Sequence, residues 1–183
     1  MVTNATMPTI HSKNEDNEAN FGRWFRQSFY LPWRDNRRFD RKARAAIEEA
    51  VSRAEEGHAG EIRVVIEGHL PLNTALYQGT TGRARELFSS LRVWDTALNS
   101  GVLLYINLCE HRVEIVADRG INARVESACW QSICQNVTTQ LAAEEYQQGV
   151  VRGVELIGNT LGEYYKVLES EAGNELSDAA IFL

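Results

Sequence analysis

No apolar run in this sequence approaches the roughly 18–20 residues needed to cross a bilayer. The most apolar stretch, GVLLYINL at 101–108, has the length of a strand. The first twenty residues, MVTNATMPTIHSKNEDNEAN, contain neither a basic start nor an apolar stretch, so no secretory signal is visible and a cytoplasmic address is expected. Cysteine is scarce. Cys109, Cys129 and Cys134 are odd in number, form no CxxC pair and have no histidine at zinc-finger spacing, which points to reduced thiols packed as small apolar side chains. Most catalytic signatures are missing as well. There is no GxxxxGK[ST] phosphate loop, no GxGxxG after a strand, no GxSxG elbow and no HExxH. No cysteine has an arginine six positions later and no DxD follows a strand, which argues against phosphatase chemistry through a cysteine or an aspartyl-phosphate. Cys109, beside Glu110, lacks the cationic setting that would lower a thiol pKa. If the chain hydrolyses anything, metal-activated water is the remaining route.

What is present suits one soluble domain with tails: 183 residues, 44 % hydrophobic, formal charge −6. The charge is unevenly spread. Residues 21–44 carry eight basic side chains against two acidic ones, a net +6 that leaves −12 for the rest. Residues 1–20 have few apolar groups and read as a disordered leader. Residues 21–39 form a basic, aromatic segment, with a short helix expected up to Tyr30 and an extended connection after Pro32.

From Asp40 onward the hydrophobic period is clear. Ala43, Ala46, Ile47, Ala50, Val51 and Ala54 mark one face of a helix with Asp40 as N-cap. Glu61–Glu67 alternates and is β-branched, a first strand; HLPLNTALYQG reads as a long loop; Thr80 or Thr81 is expected to cap a helix with Leu87, Phe88 and Leu91 inward. Gly101–Leu108 is the expected sheet centre, parallel to the first strand through a crossover, and Arg112–Asp118 returns antiparallel to it. Two further helices follow, with stripes at Val125, Cys129, Ile133, Val137, Leu141 and at Val150, Val154, Ile157, Leu161 and Tyr164 or Tyr165; Gly149, Gly153 and Gly158 would allow close helix approach. The domain spans 40–168, and 169–183 reads as a loose tail. The class is α/β, with a small mixed sheet made of a parallel crossover plus an antiparallel hairpin.

Following chain direction places His58, Glu61, Trp94, Asp95, Asn99, Asp118 and Arg119 at one edge of that sheet. Oxygen-rich groups of this kind suit a hard cation such as Ca²⁺ or Mg²⁺ without choosing between them, so Asp95 and Asp118 are the candidate metal ligands, with Glu61 and His58 as further candidates. For catalysis the candidates are Asp95, Asp118 and Arg119. A plainer reading stands beside this one. Asp95 caps the turn into the strand, Asp118 caps a helix starting near Asn122, Arg119 neutralises one of them, His58 meets the helix dipole, and Glu61 is a solvated strand start.

The basic segment also has more than one reading. Trp24, Phe25, Phe29 and Trp33 could dock onto the domain while the arginines stay wet. Alternatively Arg23, Trp24, Phe25, Arg26, Trp33, Arg37 and Arg38 form a contact for anionic lipid or a protein partner. Nucleic acid ranks last because the remaining −12 would repel phosphate. Arg41, Lys42 and Arg44 fall in the first turn of a helix, where the macrodipole opposes positive charge and calls for a compensating anionic group.

The ordered set HAGEIRVVIE, ARELFSSLRVWDTALNSGVLLYINL, VEIVADRGI, Trp130 and YQQGVVRGVELIG resembles the TPM domain, named for a thylakoid protein, a photosystem II repair protein and a nematode receptor-associated protein; the match is to a stand-alone bacterial member. The resemblance covers about Asp40 to Tyr165 and implies a three-layer α/β/α sandwich. It further implies a divalent-cation-binding module near a membrane surface, or a cation-dependent phosphomonoesterase, because a plant member is associated with acid phosphatase activity and some members bind a divalent cation through acidic loops. Only Asp95 and Asp118 match those acidic loops. The sequence departs from many members in showing no signal peptide, transmembrane anchor or glycine-rich tail, which makes the basic aromatic segment its candidate membrane contact.

Overall fold

Strand β3 (Gly101–Asn107) is buried along its whole length, as an apolar run covered on both faces must be. The structure, a computed structural model, describes residues 9–11, 22, 25, 27, 38–165 and 175–183. Around β3 lies a mixed sheet. Strand β2 (Glu61–Glu67) pairs with it in parallel, and β4 (Arg112–Ala117) pairs antiparallel across a tight turn. Strand β1 (Thr9–His11), from within the stretch read as a leader, adds to β4; β5 (Ile181–Phe182) adds to β2, giving the order β1-β4-β3-β2-β5.

Helix α1 (Arg41–Glu55) starts where expected, with the Asp40 carboxylate accepting the Ala43 N–H at 2.8 Å. Its Ile47, Ala50 and Val51 join Ile62, Val64, Ile66, Val102, Leu104, Ile106 and the inner faces of α5 (Ser127–Ala142) and α6 (Tyr146–Tyr164) in one cluster. Val65, Leu103, Tyr105 and Val116 face the other way, onto Ala84, Leu87 and Phe88 of α3 (Gly79–Ser90). The result is the α/β/α sandwich. The α6 glycines act as anticipated: a Cβ on Gly153 would stand 2.6 Å from Val137, and one on Gly158 2.7 Å from Ala54. Either would force the helices apart in a close-packed interior.

Three local expectations are corrected. The stretch read as a long loop contains helix α2 (Leu72–Tyr77), started by Pro71, whose fixed φ suits a helix start, and held by buried Thr74 and Ala75. Thr80 and Thr81 do not cap α3; they lie inside its first turn, and both hydroxyls donate to Glu114 Oε1, at 2.8 and 3.2 Å. The loose tail is docked over 175–183, because the outer edge of β2 offers backbone groups that a two-residue strand can satisfy.

The short helix expected up to Tyr30 falls largely outside the described residues, though Gly22, Phe25 and Gln27 are helical. Gln27 is buried, its amide bonded to Glu110 Oε1 at 2.6 Å and to the Leu70 N–H at 2.8 Å. Arg23, Trp24, Arg26, Trp33 and Arg37 lie outside the described residues; Phe25 is exposed, and the Arg38 guanidinium sits 4.6 Å from the Tyr146 ring. Among the described residues no helix is long and apolar enough to cross a membrane.

Candidate functional site

The sheet register brings the predicted edge together. Glu61 lies opposite Gly101, and the Asp118 N–H donates to the Gly101 carbonyl at 2.9 Å, so the start of β2, the start of β3 and the end of β4 coincide. His58 comes from the α1–β2 connection, Glu61 is the first residue of β2, and Asp118 opens the short helix α4 (Arg119–Asn122). Asp95 is carried by the 91–100 loop that spans this edge, and is itself exposed. That loop is pinned at its far end. Thr96 Oγ1 accepts the Ser100 N–H at 3.0 Å, Ser100 Oγ donates to the Ala59 carbonyl at 2.7 Å, and Asn99 Oδ1 accepts from Arg119 Nε at 3.1 Å.

Each candidate then has a definite environment. Asp118 is a helix cap, as the plainer reading expected, but of α4, which starts at Arg119 and not near Asn122: Oδ1 accepts the Arg119 N–H at 2.7 Å. Its other oxygen, Oδ2, is buried and accepts no hydrogen bond from the described residues. Burial pushes this carboxyl above its ordinary range, against the opposing hydrogen bond and charge of Arg119. Two residues on, Gly120 is encircled by oxygen. A Cβ there would stand 2.5 Å from the Asn99 carbonyl, 2.8 Å from the Leu98 carbonyl and 2.9 Å from the Tyr165 hydroxyl. Tyr165 Oη, like Asp118 Oδ2, is buried without a hydrogen bond from the described residues, and burial, opposed by Arg124 and reinforced by Asp118, raises its pKa.

Glu61 is not the solvated strand start of the plainer reading. It is 4 % exposed, and its two carboxylate oxygens accept the Glu175 and Leu176 N–H groups at 3.2 and 2.9 Å. Burial raises its pKa, and those two hydrogen bonds oppose the rise. His58 is buried with Nδ1 accepting the Gly60 N–H at 3.0 Å, which fixes the proton of the neutral ring on Nε2; burial holds its pKa below the ordinary value. Among the described residues no three His, Cys, Asp or Glu side chains converge as a metal-binding group. The oxygens near this turn, all hard donors, are the Asp118 carboxylate, the Leu98 carbonyl, the Asn99 carbonyl, which also accepts the Ile121 N–H at 3.3 Å, and the Tyr165 hydroxyl.

Beside this edge Glu55, the last residue of α1, accepts the Ile62 N–H at 2.7 Å. Burial, with the charges of Glu61 and Asp178, outweighs that bond and Arg63 and pushes the Glu55 carboxyl from 4.5 up to about 8. Between those values the folded chain holds a proton that the unfolded chain has released, so this group makes stability fall as pH rises. Glu55→Gln keeps the acceptor and removes the titration. Its melting temperature relative to the parent is expected to climb between pH 5 and pH 8 in thermal scans; a constant difference would refute the assignment.

A second polar cluster, at the opposite edge, escaped the sequence reading. Glu67 accepts from the Tyr105 hydroxyl at 2.6 Å and from Arg83 Nε and Nη2 at 3.0 and 2.7 Å, while Asn107 Nδ2 donates to Tyr105 Oη at 3.1 Å. Glu114, cross-strand from Tyr105, takes the two threonine hydroxyls. The available signal was a pair of glutamates in strands that both faces of the sheet bury.

The TPM domain family model matches residues 35–160. The chain belongs to the TPM domain family. The matched span holds α1 to α5, most of α6 and every acidic candidate at the edge, whereas β1 and β5 of this TPM domain fall outside it. The chain is also similar to the BA42 protein of the psychrophilic bacterium Bizionia argentinensis, known from an NMR structure: 26 % identity, TM-score 0.69, covering 85 % of this chain and 96 % of that one. A search of curated proteins gave no match.

Proposed function

We propose that this TPM domain is a divalent-cation-binding interaction module that works near a membrane surface, with Asp95 and Asp118 supplying the carboxylates. The observation that carries the reading is the Asp118 carboxylate, whose Oδ2 is buried and accepts no hydrogen bond from the described residues, beside a turn ringed by the Leu98 and Asn99 carbonyls and the Tyr165 hydroxyl. A buried acceptor left without a partner costs about 1–3 kcal/mol, which an oxygen-seeking cation would recover. Asp95 is exposed on the loop over the same edge, where it can join the ion from solvent. Cation capture would then stiffen the 91–100 loop and change the surface offered to a partner. The basic, aromatic segment 21–39 supports the membrane part, since eight cations within residues 21–44 favour an anionic surface.

The test is a Ca²⁺ and Mg²⁺ titration followed by calorimetry and amide shifts. Asp118→Asn and Asp95→Asn are each expected to weaken binding at least tenfold, with the largest parental shifts at Leu98, Asn99 and Gly120. Affinity unchanged from the parent in both variants would reject the site. Phosphomonoester turnover, measured on the same proteins, separates a module from a phosphatase: turnover that depends on the cation and on both aspartates would favour the enzyme.

A further inference from the structure

The outer edge of β2 is built to receive an extended segment. Glu61, at its start, accepts two consecutive backbone N–H groups, from Glu175 and Leu176. Arg63 donates through Nη1 to the Ser177 carbonyl, and the Ala97 N–H is taken by the Glu175 carboxylate at 3.1 Å. Further along, Ile181 and Phe182 pair in parallel with Val65 and Ile66. The ladder closes with the Leu183 N–H on the Ile66 carbonyl at 3.0 Å and the Gly68 N–H on the Leu183 carbonyl at 2.9 Å. The Phe182 ring lies 5.5 Å from that of Phe39 and 3.8 Å beneath the Arg44 guanidinium.

Every receiving residue (Phe39, Arg44, Glu61, Arg63, Ile66, Gly68 and Ala97) falls within the 35–160 family match, while the segment received does not. Receptor and occupant are thus separate parts of the chain. The occupant's hold is also shallow: Ile181 and Phe182 are only half-buried and Leu183 is 51 % exposed, on a ladder of two residues. Such a segment sits at the low-stability end of a fold.

We propose that the outer edge of β2 is a peptide-docking groove, and that residues 175–183 fill it in cis as a detachable plug. The partner it fits is an extended peptide that presents two backbone N–H groups to Glu61, then an aliphatic–aromatic pair five to six residues later, the aromatic ring entering between Phe39 and Arg44. Main-chain pairing supplies the attraction and that ring the selectivity, the logic of strand addition to an open sheet edge. Through Glu175 on the Ala97 N–H, the occupant also touches the loop that bears Asp95. The inference stands apart from the cation reading, since none of its contacts involves an ion.

Two measurements on the full-length chain test it. Native-state hydrogen exchange of the parent is expected to release the Leu176, Leu183 and Gly68 amides at least 100-fold faster than the β3 amides, by local opening. Exchange at the β3 rate, only through global unfolding, would overturn the proposal. The second uses a full-length chain carrying Ile181→Asp and Phe182→Asp, which frees its own groove. A fluorescein-labelled peptide of residues 175–183 should bind this folded variant saturably, at least tenfold more tightly than the parent, and addition of Glu61→Ala should weaken that binding severalfold. A folded variant without saturable binding would reject the groove; if the variant does not fold, the exchange result on the parent decides alone.

Discussion

Trp130→Ala is expected to lower the unfolding free energy by about 3–5 kcal/mol, the range for truncating a fully buried tryptophan. Trp130 is 0 % exposed and, among the described residues, is the largest side chain wholly enclosed, within the cluster that joins α1, α5 and α6 to the sheet. Two terms add: the apolar surface is no longer removed from water, and neighbours on three helices and a sheet cannot collapse far enough to fill the space. For a chain of this size the melting temperature should drop by roughly 6–20 °C. Trp94, 47 % exposed at the opposite extreme, is the control; Trp94→Ala should stay within about 0.5 kcal/mol of the parent. Denaturant titration of both variants checks the pair, and equal losses would show that the α5 face is not the keystone of the core.

The second large effect is electrostatic. Glu67 keeps 3 % of its side chain exposed and meets Arg83 at 2.7 Å. Arg83→Met fills similar space but strands the carboxylate with the Tyr105 hydroxyl as its remaining charge-stabilising contact in the cluster. Breaking one half of a buried ion pair costs about 3–5 kcal/mol, because the surviving charge has lost both water and counter-ion. Adding Glu67→Gln to the Arg83→Met chain should return part of that loss, since an amide has no charge to desolvate and still offers Oε1 to Tyr105. A single-variant loss under about 1 kcal/mol in urea denaturation would mean that water reaches the carboxylate.

These residues also show where a sequence can be read and where it cannot. Helix α1 was legible because Asp40 stands immediately ahead of a sustained 3.6-residue period, and β3 because seven consecutive buried positions leave an apolar run. Strand β5 has two residues and β1 three, too short for any period, so both appear only once a sheet edge is present to pair with them. Helix α2 is six residues long and was hidden for the same reason. The arginines at the start of α1 looked electrostatically misplaced. For one of them the fold supplies neutral partners where an anionic group was expected: Arg44 donates to the Phe39 carbonyl at 3.0 Å and stacks on Phe182, a residue 138 positions away.

At the candidate site the division is the same. Strand order and chain direction alone brought His58, Glu61, Asp95 and Asp118 to one edge, since a parallel crossover followed by a hairpin leaves no other place for them. The cap formed by Asp118 was equally local, made with the next residue's N–H. Tertiary structure decided which carboxylate is already engaged. Glu61 is committed to backbone 114 positions away and Glu67 to an arginine in α3, whereas Asp118 keeps a buried oxygen without a hydrogen bond from the described residues. Hydrophobic period and chain direction are local properties that survive in a single sequence. Whether a charge is satisfied depends on groups that only folding brings within 3 Å.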